Sequence, residues 1–164
     1  MKLRDEIPGD ETAIHKLTKT AFAPIEMSDG SEPQIIDRLR KNGDLVLSLV
    51  VLDNDQIVGH IAFSPVTVSE SSGVWFGLGP VSVHPEQQRA GAGRQLVETG
   101  LLRLRSLDAA GCVVLGDPAY YERFGFSSSG NLSFGKVPME YVLALAFSPE
   151  QAKGEIKYAS AFNG

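Results

Sequence analysis

The chain has 164 residues, 43% of them hydrophobic and 21% charged, enough apolar material for one ordinary core. That balance excludes a disordered or fibrous chain. A formal charge of −5 argues against the broad basic surface that nucleic-acid binding needs.

Lys2 to Ile7 reads as a short edge strand, broken by Pro8-Gly9-Asp10. Asp10 can cap a helix whose apolar positions are Ala13, Ile14, Leu17 and Ala21, ended by Ala23-Pro24. After the loop Ser28-Asp29-Gly30, Ser31 can cap a second helix. It carries Pro33 in its first turn and Ile35, Ile36 and Leu39 on one face, and Asn42-Gly43 stops it. Leu45 to Leu52 is a buried strand, joined by Asp53-Asn54-Asp55 to a second strand from Gln56 to Phe63, and the pair reads as a hairpin. Ser69 to Gly73 is a loop. Val74 to Val83 is again strand-like, but Pro80 fits poorly in a central ladder, so a bulge is predicted near Gly79-Pro80.

A helix from Gln95 to about Leu107 follows, with Val97, Leu101, Leu104 and Leu107 on one face. Cys112 to Leu115 is a short buried strand. Asp117-Pro118 opens a short helix that holds Tyr120 and Tyr121 and ends near Gly125. An extended stretch begins at Phe126, Gly130-Asn131 turns, and Tyr141 to Phe147 is strand-like. Lys153 to Tyr158 is a last edge strand. The order β-αα-βββ-α-β-α-β-β implies an α/β (α+β) fold, a mixed sheet with helices on both faces, in a single domain spanning 1–164.

Cys112 is the only cysteine, so no intrachain disulfide forms. At the head of an apolar run it reads as a small buried hydrophobe, because a nucleophile needs a basic or His-paired setting. Met1 to Glu6 has no apolar signal core and no stretch approaches a membrane span, so a cytoplasmic protein with no membrane partner is expected.

The segment Pro85-Glu86-Gln87-Gln88-Arg89-Ala90-Gly91-Ala92-Gly93-Arg94 joins the strand Val81-Ser82-Val83 to the helix after it. Small residues there let an anion approach the backbone, and a helix N-terminus offers free N–H groups and a positive dipole end. A dinucleotide fingerprint fits badly, since Leu96 stands where the third glycine belongs, and no Gly-x-x-x-x-Gly-Lys-Ser/Thr loop exists.

Val83-x-Pro85-x-x-Gln88-x-x-Gly91-x-Gly93 resembles the acetyl-CoA-binding motif of the GNAT superfamily of N-acetyltransferases. Tyr120-Tyr121-Glu122-Arg123-Phe124-Gly125-Phe126 resembles a second segment of that superfamily. The wording around both motifs is similar to its YhbS-like bacterial branch. The resemblance spans essentially the whole chain. It implies a mostly antiparallel central sheet of about seven strands, with acetyl-CoA as cosubstrate and no metal. By the same resemblance, N–H groups of Gln88, Arg89, Ala90, Gly91, Ala92, Gly93 and Arg94 would hold the CoA pyrophosphate, with Arg89 and Arg94 adding charge. Main-chain groups of Val81, Ser82 and Val83 would pair with the pantetheine arm, in a slot opened by the bulge. Tyr121 would act as general acid toward the departing thiolate, while Tyr120 reads as a core tyrosine. The usual Asn of this region is replaced by Gly116-Asp117.

Many members of the superfamily carry a carboxylate on the motif strand, and Val74 to Val83 has none. His60 is the candidate base: it alternates with Ile57, Gly59, Ile61 and Phe63, so it faces opposite to them and could point toward the slot. His84, Glu26 and Glu32 are other candidates, and a water relay to bulk would need no base. The expected reaction is attack of a primary amine on acetyl-CoA. An acyl-CoA-binding sensor and a nucleotide-binding oxidoreductase are the competing classes. The acceptor groove is expected along Phe22 to Ser31 and loops near Ser64 and Met139, where Glu26, Asp29 and Glu32 would suit a cationic amine. The strand Lys153–Tyr158 could extend the sheet across a homodimer.

Overall fold

The computed structural model describes residues 1–163. β1 (Lys2–Asp5) is an edge strand, followed by α1 (Glu11–Phe22) and α2 (Glu32–Asn42). Neither helix is capped by the side chain at its start. The Asp10 carboxylate instead accepts the Ile7 N–H at 2.9 Å and pairs with Arg4 at 2.7 Å, fastening β1 to α1. Ser31 spends its hydroxyl on Asp29. α2 stops at Gly43, whose φ of 78° is left-handed.

The hairpin is formed by β2 (Leu47–Asp53) and β3 (Gln56–Val68), and β3 runs on to Val68 instead of ending at Phe63. Ser64 therefore lies inside a strand and is fully buried, not in a loop beside the acceptor groove. β4 (Trp75–Val83) leads through a short 3-10 turn to α3 (Ala92–Ser106). β5 (Gly111–Leu115) and α4 (Pro118–Tyr121) follow, then β6 (Leu132–Ser133), β7 (Val142–Ala146) and β8 (Gly154–Tyr158). β6 makes the eighth strand; two residues carry no readable periodicity.

The sheet runs β1-β2-β3-β4-β5-β7, and only β4–β5 and β6–β8 pair parallel. The far end of β3 also takes β8, in the register Val66–Tyr158 to Val68–Ile156. β8 thus lies between β3 and β6, with β6 pairing only Gly154 and Glu155.

α3 covers one face, packing Leu96 and Leu104 on Leu49, Ile61 and Phe63. Gly100 permits this approach, because a Cβ there would overlap the Phe63 ring. α1 and α2 cover the other face through Ile14, Ile36 and Val50. A register shift in β2–β3 beside Val51 sends Ile57 to this second face, so Ile57 does not alternate with His60 as the simple two-residue period predicts.

β4 and β5 pair only from Trp75–Gly111 to Gly77–Val113. Beyond that, β5 stays with β7 as far as Leu115–Val142, while β4 stays with β3 as far as Val83–Gly59. The predicted bulge is there: the β3–β4 register skips Gly79 and Pro80, with Gly79 at φ 131°. Two neighbouring strands therefore part and leave a slot between Val81–Val83 and the end of β5.

Candidate functional site

The turn at the mouth of this slot presents backbone donors. Arg89 (φ 70°) and Gly91 (φ 90°) are both left-handed, so the chain winds tightly before α3 begins at Ala92. Among the described residues, the amides of Gln88, Arg89, Gly91, Ala92, Gly93 and Arg94 find no acceptor. This is the concave, amide-lined geometry that binds anions at a helix start. Ala90 departs from the expectation, since its N–H is used inside the turn by the Gln87 carbonyl at 3.4 Å.

Along β4 the His84 N–H bonds the Val58 carbonyl at 2.8 Å. Bonding direction alternates along an antiparallel strand, so the main-chain groups of Val81 and Val83 turn to the slot. Those of Ser82 turn to His60 on β3, its register partner, which corrects the expectation that Ser82 offers its main chain to a ligand. The Gln88 side-chain amide donates to the Val83 carbonyl at 3.3 Å, tying the turn to the strand.

Val81, Val83, Gly91 and Gly93 border a cleft of about 630 Å³ whose remaining wall includes Tyr120 and Arg123. Neither was expected there, and the spacing of three that puts Arg123 over Tyr120 was the available signal. Arg123 Nε donates to the Tyr120 carbonyl at 2.8 Å and its guanidinium lies 4.6 Å from that ring. Tyr120 is thus a cleft residue rather than a core one; a Cβ on Gly93 would stand 3.4 Å from its hydroxyl. Arg89 also borders the cleft. Arg94 does too, but it is 72% exposed and held by Glu98 one helical turn on.

Tyr121 lies deeper, at the β5 side of the slot. Its ring packs edge-on to Phe126 with centroids 5.8 Å apart and rests on Gly116, the residue after β5. No hydrogen bond engages its hydroxyl among the described residues, and burial, with smaller contributions from Tyr120 and Cys112, pushes its pKa up to about 12. It is a neutral phenol at physiological pH. Asp117 caps α4 by accepting the Ala119 N–H at 2.9 Å. Cys112 is fully buried and its thiol is pushed far up by burial, so it is inert.

His60 is fully buried on the α1–α2 face, with Nε2 2.8 Å from Ser48 Oγ. Burial lowers its pKa to about 4, against a raising influence of Glu6. It stands one strand back from the slot, beside Ser82. His84 accepts the Glu86 N–H at 3.2 Å and borders a separate cleft with Lys16 and Asp55. At the start of α2 Glu32 is bonded by the Ser28 hydroxyl at 2.6 Å, and in the loop before it Asp29 is bonded by Ser31, while Met27 is 98% exposed.

Residues 45–128 match the family model described as an acetyltransferase (GNAT) domain. The chain is 39% identical over 127 residues to the uncharacterized N-acetyltransferase YhbS of Escherichia coli K12, covering 77% of this chain and 73% of that protein. A GNAT family acetyltransferase from Brucella melitensis, solved in complex with acetyl-CoA, superposes with a TM-score of 0.87 at 42% identity, over 98% of this chain and 97% of that one. The E. coli YhbS structure, solved in complex with CoA, gives 0.90 at 32% identity, over 99% of this chain and 92% of the other.

Proposed function

The chain belongs to the GNAT acetyltransferase family, and on that premise we propose that it transfers the acetyl group of acetyl-CoA to a primary amine of a small molecule or peptide. The observation that carries this reading is the parting of β4 from β5 after Gly77–Val113, beside a turn of unpartnered amides. Acetyl-CoA in the Brucella relative and CoA in the E. coli relative support the donor. The residues here fit that donor: the amides of Gln88 and Arg89 and of Gly91 to Arg94 would hold the pyrophosphate, helped by Arg123 and Arg89. Val81 and Val83 would bind the pantetheine arm as a strand partner.

The amine attacks the thioester carbonyl directly. A tetrahedral intermediate forms, with its oxyanion near main-chain donors of β4. Tyr121 donates its phenolic proton as the C–S bond breaks and CoA leaves as thiol. His60 is the proposed base. The test is CoA release across an amine panel: turnover by the parent and its loss in Tyr121→Phe are expected, and equal turnover would remove Tyr121 from the acid role.

A second reading, an acyl-CoA sensor, draws support from β4, which carries no Asp or Glu between Trp75 and Val83. Tight acetyl-CoA binding with no CoA release over the same panel would favour it.

A further inference from the structure

Three buried side-chain atoms have no hydrogen-bond partner among the described residues: His60 Nδ1, Ser64 Oγ and Ser82 Oγ. They lie on β3 and β4, on either side of the bulge, with His60 opposite Ser82 and Ser64 opposite Gly77. Buried polar atoms are nearly always satisfied, and of these three His60 and Ser82 stand opposite each other where β4 has left β5, so that pair calls for a physical account.

A continuous path leads away from one of them. His60 Nε2 lies 2.8 Å from Ser48 Oγ, and the Ser48 hydroxyl donates to Glu6 Oε1 at 2.8 Å. Arg40 holds the same carboxylate with two bonds of 2.9 Å. Glu6, Arg40 and Ser48 border a cleft of about 300 Å³ at the start of β2, and the Glu6 side chain keeps 13% exposure. The path thus runs from beside the slot, across β3 and β2, to solvent.

Its hydrogens are fixed by counting. Ser48 has one hydroxyl hydrogen and gives it to the Glu6 carboxylate, which has none to return. At the Ser48–His60 contact the imidazole must therefore be the donor, so Nε2 carries the hydrogen. Burial keeps the ring neutral. Nδ1 is then a bare lone pair, unpartnered, next to the strand that borders the slot.

We infer that this path carries off the proton that the ammonium form of the acceptor must lose before it attacks. The inference rests on the transferase reading above. Ser82 Oγ, one strand closer to the slot, takes the amine proton and passes its own to Nδ1, with one solvent molecule bridging the two side chains. Nε2 releases its hydrogen to Ser48 Oγ, and Ser48 releases its own to Glu6. Each N–H or O–H bond that breaks is matched by one that forms, and the net change is one proton moved from the amine to Glu6. Burial favours protonated Glu6, but the bonds from Arg40 and Ser48 outweigh it and hold the carboxyl below its usual range, so Glu6 passes the proton to solvent. Ser48 and Glu6 are positioning and relay residues; they touch no substrate.

Two measurements test this. The first needs no acceptor: 15N spectra of the imidazoles near neutral pH, with His60 assigned from a His60→Gln variant. Nε2 protonated and Nδ1 bare is expected; a ring protonated on Nδ1, or on both nitrogens, overturns the relay. The second uses the amine that the parent turns over fastest. Ser48→Ala and Glu6→Gln should each lower kcat about tenfold or more with KM for acetyl-CoA unchanged. The curved proton inventory of the parent in mixed H2O and D2O should become linear. Ser48→Thr, which keeps the hydroxyl, should restore both, and calorimetric acetyl-CoA binding checks that each variant is folded. Parental kcat and inventory in Ser48→Ala would overturn the relay and leave the transferase reading standing. No CoA release by the parent with any amine would remove the transferase reading, and the relay with it.

Discussion

Gly116 leaves its side-chain space to the ring of Tyr121: a Cβ on Gly116 would stand 2.5 Å from Tyr121 Cε2. The glycine directly follows β5 and the tyrosine ends α4, so this contact sets how close the phenol comes to the slot. It makes the glycine a test of the tyrosine.

Tyr121→Phe is expected to lower kcat by about a hundredfold or more while leaving KM for acetyl-CoA nearly unchanged, the pattern for loss of a proton donor. Gly116→Ala, which must push the ring aside, should reproduce much of that loss with the hydroxyl still present. With its pKa raised to about 12, the phenol keeps its proton and should contribute no alkaline limb to the pH profile near neutrality. Steady-state CoA release across pH measures all three.

Arg89 holds a left-handed conformation at φ 70° without being glycine. Arg89→Gly should raise stability by about 0.5–1 kcal/mol, the relief of a left-handed side chain less the extra entropy of the unfolded glycine. The same change should weaken acetyl-CoA binding, because a cation at the cleft is lost. Thermal melts and calorimetric titration should therefore move in opposite directions. Loss of stability would mean that the Arg89 side chain contributes packing as well as charge.

Arg123→Ala should raise the acetyl-CoA Kd about fivefold, roughly 1 kcal/mol for a charge-assisted contact, and reduce its dependence on salt. Arg94→Ala should do much less, since Arg94 is 72% exposed and already paired with Glu98. Titrations at low and high ionic strength separate the two. Equal effects would mean that Arg94 leaves Glu98 when the ligand binds.

His60 lowers acid stability. Its pKa falls from 6.5 to about 4 on burial, so between those values the unfolded chain binds a proton that the folded chain refuses. Stability is unaffected by this group above pH 6.5 and falls as pH drops toward 4, by about 3 kcal/mol in all. In His60→Gln the stability slope across that window should flatten. A denaturant series from neutral pH to pH 4 measures it; an unchanged slope would mean that carboxylates carry the whole acid dependence.

Much of the donor side was legible before the fold was known. Pro80 announces the bulge that lets β4 leave β5, because a residue without an N–H cannot continue the ladder. Gly91 and Gly93, with no acidic neighbour from Gln87 to Gln95, announce the amide-lined turn. Other features were not legible. Adjacent residues such as Tyr120 and Tyr121 differ by about 100° around a four-residue helix, and the packing of Phe126 and Gly116 decides which enters the cleft. Ser82 looked like a main-chain contact until the β3 register showed that its bonds are spent inward.

By itself, then, the sequence determined the local parts: where helices start, where a strand must bulge, and where backbone amides are left free. Those depend on dihedral preferences and hydrogen-bonding capacity within about ten residues. The tertiary structure alone decided which groups share surroundings. Glu6, Arg40, Ser48, His60 and Ser82 come from four strands and a helix or their flanks, and only strand register and helix packing join the first four by hydrogen bonds and set Ser82 opposite His60. A histidine's role depends on which atom faces which neighbour, and that is set by contacts remote in the chain.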